Sequence, residues 1–361
     1  MIKKIGVLTG GGDCPGLNAV LRAVVKTAMG KYEWEVIGFK DGYRGLVMND
    51  YIKFNSRDVS GILDKGGTIL GSSNRDNPFN FRLEKDGKVE YKDLSERVMD
   101  NVSMHEIDCM VLIGGDGTLT SARDFARKGL KVVGVPKTID NDLSATDTTF
   151  GFMTAVETAT EAIDKLHSTA EAHHRVMILE VMGRYAGWIA LESGIAGGAD
   201  VILLPEIPYN INSIVDKIAE RKQQGKLFSI IVVAEGAKPK DGDVVISKIV
   251  ENSPDPIRLG GIGNRIADDI EKATGHETRV TVLGHLQRGG RPVPYDRILS
   301  TRYGVAAVEL INEGKFGKMV ALQGNSITDV SLEDAVGKLK TVDINGELIK
   351  IARSVGVGFG D

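Results

Sequence analysis

Apolar residues along this chain follow two rhythms. Short β-branched and aliphatic runs recur as KIGVLT (4–9), EVIGF (35–39), DCMVLIG (108–114), KVVGVP (131–136), RVMILEV (175–181), DVILLP (200–205), FSIIVVAEG (228–236), TRVTVLG (278–284) and KMVALQG (318–324). Most are apolar on both faces, as the strands of a parallel sheet covered by helices are. Between them the period lengthens: Leu17, Val20, Leu21, Val24, Val25 and Ala28 repeat at helical spacing, as do Phe152, Val156, Ala159, Ile163 and Leu166. Strand followed by helix over the whole length predicts a doubly wound α/β architecture with ligands at the carboxyl ends of the strands. Two stretches break the rhythm. The polar segment 82–100 reads as an exposed hairpin or insertion followed by a helix, and 237–263, rich in Pro and Gly, reads as another surface excursion.

The 361 residues are 42% hydrophobic and 26% charged, enough for one large or two medium packed domains. The net charge is −4 and no Lys/Arg cluster alternates with aromatics, so nucleic acid is not an expected partner. No apolar segment is long enough for a membrane span, and the opening apolar run is too short for a secretory leader; the expectation is a cytoplasmic protein without a membrane partner. Cys14 and Cys109 lie in or beside apolar runs without CxxC spacing and read as reduced thiols. Glycine changes the picture: there are 44, roughly 12% against an average near 7%, which predicts many tight turns or phosphate loops.

Three glycine-marked stretches carry candidate chemistry. In LTGGGDCPGLNAVLRAVV (8–25) three glycines follow a strand and precede a helix, where backbone amides can approach a phosphate; the stretch has neither dinucleotide-fingerprint spacing nor a Walker lysine, and a plain tight turn is the alternative. IGGDGT (113–118) repeats the arrangement with Asp116 among the glycines. A carboxylate repels a phosphate unless a divalent cation lies between them, so Asp116 points to Mg²⁺ carried by a nucleotide, against the plainer reading of an Asx turn. VPKTIDND (135–142) sets Lys137, Thr138, Asp140 and Asp142 on one loop. In an extended loop alternate residues share a side, so the two acids are expected to face one site, one as a base and the other near a metal, with Lys137 and Thr138 on phosphate oxygens; a solvated acidic loop is the alternative.

Arg175, Arg184, Arg279 and Arg288 flank strand ends or glycine turns, which points to a second anionic ligand, although scattered arginines usually form surface ion pairs. His285 by itself reads as structural. His173 and His174 have no helical-spacing partner or nearby Cys, so no metal is assigned to histidine.

Taken together, LTGGGDCPGLNAVLR, DGYRGL, GGTILGSS, IGGDGT, PKTIDND, GFMTAVETATEAID, EVMGRYAGW and LGHLQRGGRPVPYDR resemble the 6-phosphofructokinases, over nearly the whole chain and in the family's order. The resemblance implies two discontinuous α/β domains with mainly parallel sheets. The larger, nucleotide-binding one covers 1–150 plus 287–337, and the smaller, sugar-phosphate-binding one 151–286 plus 338–361. It implies fructose 6-phosphate as acceptor, ATP as donor with Mg²⁺, and a homo-oligomer, dimer or tetramer. Residue by residue, Asp140 matches the general base and Asp116 and Asp142 the acids on the Mg²⁺ side. Gly12 and Thr138 match groups around the transferred phosphoryl, and Arg184 a cation near the sugar and the transition state. Met182, Gly183 and Glu235 resemble sugar contacts. Arg279, His285 and Arg288 resemble holders of the 6-phosphate, with Arg175, and by the same logic Arg279, reaching a neighbouring subunit's site. Tyr43, Arg75, Gly115, Asp116, Gly117 and Thr118 resemble the nucleotide side; SSNRDNPF departs from the family's common spacing around Arg75.

Two positions bear on the donor. The family's ATP users typically have Gly after the GGD aspartate, as Gly117 here, while pyrophosphate users typically have Lys before TIDND, as Lys137 here. A carboxylate at 117 would repel a nucleotide's α-phosphate, whereas Lys137 suits either donor, so ATP is expected and pyrophosphate is the alternative. At the effector site of the bacterial ATP enzymes Arg22 and Arg57 match, but Lys26, His167 and Asp200 replace the usual types, so weak or absent control by ADP or phosphoenolpyruvate is expected. The NAD and lipid kinases share GGDGT but not PKTIDND or LGHLQRGG, and a non-catalytic regulatory subunit would be expected to have lost Asp140, Asp142 or Arg184.

Overall fold

The computed structural model describes residues 2–85, 88–249 and 257–361, and the chain divides into two compact units. The first comprises the chain up to Thr138, Leu143–Gly151 and Arg288–Leu339; the second comprises Ile139–Asp142, Phe152–Gln287 and Lys340–Asp361.

The strands of the first unit are β1 (Lys4–Thr9), β2 (Glu35–Phe39), β3 (Tyr51–Lys53), β4 (Phe81–Lys85), β5 (Lys88–Lys92), β6 (Cys109–Gly114) and β7 (Val132–Pro136). Those of the second are β8 (Val176–Val181), β9 (Val201–Leu203), β10 (Ser229–Ala234), β11 (Ile246–Ile249), β12 (Ile257–Leu259) and β13 (Thr278–Val282); β14 (Lys318–Gln323) and β15 (Ser326–Ser331) return to the first. All nine apolar runs of the sequence are strands.

A seven-stranded sheet, β15-β14-β7-β6-β1-β2-β3, forms the middle of the first unit. Its inner pairs are parallel and only its edges, β15 and β3, run antiparallel. Every residue of β6 and β7 is buried, which is why both read as unbroken apolar runs. Met110, Phe39, Leu119, Phe125 and Leu8 share one core cluster, and Gly6 lets Met110 lie flat on the sheet, because a Cβ there would stand 2.2 Å from its sulfur. The chain leaves β1 in one direction toward β2 and in the other toward β6 and β7. The carboxyl ends of β1 and β6 therefore form the switch point, where a doubly wound sheet opens to ligands.

In the second unit β13-β8-β10-β9 make an all-parallel sheet, packed through Ile178, Ile231, Leu203, Ile214 and Ile266. The hairpin expected in 82–100 is present as β4 paired with β5, followed by helix Ser95–Met104; residues 86–87 lie outside the described residues. In 237–263, β11 pairs with β12 in an antiparallel ladder, and residues 250–256 lie outside the described residues. Among the described residues no helix is long and apolar enough to cross a membrane.

Candidate active site

At the switch point of the first unit the two glycine turns are bonded side by side. Gly10 N donates to Ile113 O at 2.8 Å, and Thr118, in the first turn of helix Asp116–Arg127, fills the space that side chains on Gly10 and Gly114 would need, 2.6 and 2.3 Å from their hypothetical Cβ atoms. Only glycine fits at these two positions. The segment GGTILGSS is laced over the first turn: Gly11 N donates to Ser73 O at 2.9 Å, Ser72 Oγ to Gly11 O at 2.5 Å, and Thr9 Oγ1 to Gly71 O at 2.7 Å. Asp116 opens its helix, where the dipole favours a negative charge, and its Oδ1 accepts from Gly337 N at 2.9 Å. A Cβ on Gly117 would meet nothing within 4 Å.

Tyr43 and Arg75, both expected on the nucleotide side, occupy very different settings. The Tyr43 ring is buried against Phe125 and its hydroxyl donates to Thr118 O at 2.9 Å, so it supports the second glycine turn from beneath instead of offering an open face. Arg75 lies exposed in a bend, its backbone N donating to Ser73 Oγ at 3.2 Å. Arg279 and His285 belong to the second unit and Arg288 to the first. Its Nη1 donates to Asp13 O at 3.2 Å and would lie 2.7 Å from a Cβ on Gly12, so this cation borders the first glycine turn. Lys137 is buried, donates through Nζ to Gly12 O, and through its backbone N to Gly114 O at 2.9 Å, tying the third motif to both turns. Cys14 lies fully buried beside them, and burial pushes its thiol up to about 12.

After β7 the chain crosses from one unit to the other between Thr138 and Ile139. Thr138 is buried and its carbonyl accepts from Thr149 Oγ1 at 2.7 Å. The loop is not extended throughout, as alternation had assumed: Asn141, between the two acids, has φ +53, in the left-handed region. The directions of the carboxylates are therefore set by that turn and by whatever holds it. Asp140 and Asn141 are buried and Asp142 half-buried.

In the second unit the MGRYAGW loop follows β8. Met182 N donates to the fully buried Gln287 Oε1 at 2.8 Å, and Arg184 N to Glu235 Oε1 at 3.2 Å. Arg184 itself has φ +50, and its carbonyl presses on Gly236, where a Cβ would stand 1.7 Å away; that contact accounts for glycine in AEG. Burial, and after it the charge of Asp140, raises the Glu235 carboxyl to about 7, against the pull of the Arg184 amide and guanidinium. Arg175 and Arg279 converge on one carboxylate: Arg175 Nε lies 2.8 Å from Glu277, and Arg279 pairs with the same group. His285 is exposed on the short 3₁₀ turn Gly284–Arg288.

Three residues that the motifs did not single out also hold this unit's loops. Glu180, the one acid inside the apolar run of β8, is buried and accepts from Gly261 N and Gly263 N, both at 2.8 Å, at the start of helix Ile262–Thr274. A charged residue in an otherwise apolar strand was the legible signal. Glu206 accepts from Gly187 N and Val342 N, and Lys340 bonds to Asn141; neither stands out in sequence. Of the effector-site positions, Asp200 is held by Arg221 at 2.6 Å and by Ile230 N at 2.9 Å, and His167 Nε2 lies 2.7 Å from Gly197 O.

No cluster of three or more metal-ligating side chains occurs among the described residues. Asp116 alone, at a helix start beside glycine amides, fits an ion that keeps several waters and is shared with ligand phosphates, as Mg²⁺ commonly is, and does not fit a cation caged by protein.

A doubly wound sheet whose switch point carries two glycine turns, an aspartate-headed helix and the Lys-Thr end of the third motif defines a phosphotransferase of the α/β class. The chain belongs to the phosphofructokinase family, whose sequence profile matches residues 4–311. It is 65% identical, over 100% of its length and 99% of the other's, to ATP-dependent 6-phosphofructokinase 2 of Clostridium perfringens. It is 50% identical, over 99% of its length and 100% of the other's, to the pyrophosphate–fructose 6-phosphate 1-phosphotransferase of Streptomyces coelicolor. Among solved structures it resembles Pichia pastoris phosphofructokinase in the T-state, with TM-score 0.79 and 32% identity over 93% of this chain, which spans 35% of that longer one.

Proposed function

We propose that the protein transfers a phosphoryl group from ATP to the 1-hydroxyl of D-fructose 6-phosphate, giving fructose 1,6-bisphosphate and ADP, the committing step of glycolysis. The observation that carries the donor is Gly117. The place beside Asp116 is open and uncharged, so a nucleotide's α-phosphate meets no carboxylate there. Lys137, the feature that favours pyrophosphate, has its ammonium bonded to Gly12 O, which supports a role in joining the turns as well as in neutralising phosphate. Family members with either donor are similar to this chain, so the donor rests on this local argument together with the 65% identity to an enzyme named as ATP-dependent.

The donor is assigned to the first unit: the amides of Gly12 and Gly115 to Thr118 receive phosphate oxygens, the Thr138 hydroxyl donates to the transferred group, and Tyr43 supports the turn. Arg75 keeps a peripheral part on this side. Asp116 would hold a largely hydrated Mg²⁺, which when bound supplies charge neutralisation on the donor phosphates, and Asp142 is the further acid assigned to the metal side. For the acceptor, Met182, Gly183 and Glu235 take the sugar hydroxyls, and Arg279, His285 and Arg288 the 6-phosphate. Asp140 removes the proton of the 1-hydroxyl as that oxygen forms its bond to the γ-phosphorus. The bond from phosphorus to the β,γ-bridging oxygen breaks, and its electron pair leaves with ADP. Arg184 stabilises the charge spread over the migrating group. Asp200 and His167 are engaged in internal bonds, which supports weak or absent control by ADP or phosphoenolpyruvate. Operation as a cytoplasmic homo-oligomer, with Arg175 and Arg279 reaching a neighbouring subunit's sugar phosphate, completes the reading.

The test is fructose 1,6-bisphosphate formation measured with ATP and with pyrophosphate, for the parent and for Asp140→Ala. Turnover on ATP, lost by roughly 10²-fold or more in the variant, is the expected result. Vigorous turnover on pyrophosphate with none on ATP would reverse the donor.

A further inference from the structure

Residues 139–142 belong to the second unit although the chain on either side of them belongs to the first. A short strap, Lys340–Val342, is bonded to them. Lys340 N donates to Asp142 O at 2.9 Å, and Lys340 Nζ donates to Asn141 Oδ1 at 3.1 Å. The strap is itself fixed from the other side: Trp188 Nε1 donates to Lys340 O at 2.9 Å, and the Lys340 ammonium stands 5.5 Å from the centre of the Trp188 ring. Two residues on, Val342 N donates to Glu206 Oε1 at 2.8 Å, and the same carboxylate accepts from Gly187 N. One three-residue segment thus ties the acid loop to the loop that carries Arg184.

Asn141 shows what the lysine's side chain contributes. Asparagine is among the few side chains that enter the left-handed region at φ +53 readily, but it also populates the right-handed basin, so its surroundings decide which is kept. Asn141 is buried, and its side-chain oxygen is the atom that Lys340 grips. Asp140 and Asp142 are its covalent neighbours, so a relaxation of this one residue toward the right-handed basin would rotate both adjoining peptide planes and turn both carboxylates. A misplacement of about 1 Å at such a group costs on the order of 10²-fold in rate.

We propose that Lys340 is a positioning residue for the acid pair: its ammonium locks Asn141 in the left-handed turn that aims Asp140 and Asp142. The inference rests on Asp140 acting as the base. The position is half-buried, and burial raises the neighbouring Glu192 carboxyl to about 7 while Lys340 pulls it down, in keeping with an ammonium that faces the interior of this unit.

The experiment uses the full-length enzyme with ATP, Mg²⁺ and fructose 6-phosphate, and compares Lys340→Met, Lys340→Arg, Asn141→Gly, the Lys340→Met/Asn141→Gly pair, and Asp140→Asn. Methionine keeps the stem and deletes the donor, arginine keeps a donor, and glycine tolerates the left-handed backbone while deleting the acceptor. Lys340→Met is expected to lower kcat roughly 10- to 100-fold with both KM values within about threefold and an unchanged thermal midpoint. Lys340→Arg should recover most of the loss, and the double variant should be no slower than the worse single one, because both delete the same bond. A Lys340→Met enzyme within twofold of the parental kcat, singles whose effects multiply in the double, or a loss matched by a fallen thermal midpoint would each overturn the proposal. Should Asp140→Asn keep parental kcat, the base assignment fails first; should it collapse while Lys340→Met does not, only the positioning role is lost.

Discussion

Replacing Gly117 by Asp tests the donor argument at a place where a new Cβ has open space. The new Cβ would meet no atom within 4 Å, and position 117 lies in the first turn of helix Asp116–Arg127. The Cβ has no steric reason to disturb the fold, and the gain of about 0.3–1 kcal/mol from a further acid near a helix start is opposed by the neighbouring Asp116. Against a nucleotide the new charge is unfavourable. A carboxylate about 5 Å from the α-phosphate, at an effective dielectric constant of about 20, adds roughly 3 kcal/mol of repulsion, on the order of 10²-fold in ATP affinity. Coupled assays titrating ATP and pyrophosphate separately, with a melting curve for each preparation, measure both halves. We expect the ATP KM to rise about 10²-fold with the thermal midpoint little changed, and pyrophosphate use to be unaffected or improved. An ATP KM within threefold of the parent in a fully folded variant would refute the electrostatic reasoning, and a sharp fall in the midpoint would refute the claim of open space.

Three further outcomes are expected. Asp140→Asn should cut kcat by more than roughly 10²-fold while the fructose 6-phosphate KM changes less than about threefold; a modest loss of kcat in steady-state assays would remove Asp140 from the base role. Glu235 has a folded carboxyl raised from 4.5 to about 7, so the folded state holds the proton more tightly and parental stability falls as pH rises between those values. Denaturant melts should thus show Glu235→Gln matching the parent near pH 4.5 and exceeding it at pH 8 by about 1–3 kcal/mol, and a difference that is flat with pH would count against burial as the cause. Phe125→Ala, in the core beneath the second glycine turn, should cost about 3–5 kcal/mol in the same melts, and a loss below about 1 kcal/mol would mean that this cluster repacks freely.

The nine parallel strands were legible because both faces of β1, β6, β7, β8 and β10 are covered, leaving apolar runs with little to confuse them. β15 was not. Its sequence, SITDVS, is an edge strand that is nowhere fully buried, and it pairs through backbone groups that carry no hydropathy signal. The glycine turns could be read as phosphate loops from residue type alone, but the reason Gly10 and Gly114 must be glycine, the bulk of Thr118, is a contact across strands. Arg288 stands three residues from His285 and the unit boundary falls between them, and Tyr43 turns its ring into the core, which nothing in its motif marks. Lys340 lies some 200 residues from Asn141, in a stretch with no motif at all, and nothing local marks it as a partner of the acid loop.

The threading of the first unit bears on how the protein is made. β14 lies against β7 and helix Pro294–Asn312 lies against helix Leu17–Lys31, with Lys31 and Tyr32 both reaching Glu309. A nascent polypeptide emerging from the ribosome thus carries β7 with an unpaired edge, and Gly12 without its neighbouring guanidinium, for most of synthesis. Those gaps close only once the stretch from Arg288 onward has been translated. Until then β7 presents an unpaired edge of the kind on which premature association starts.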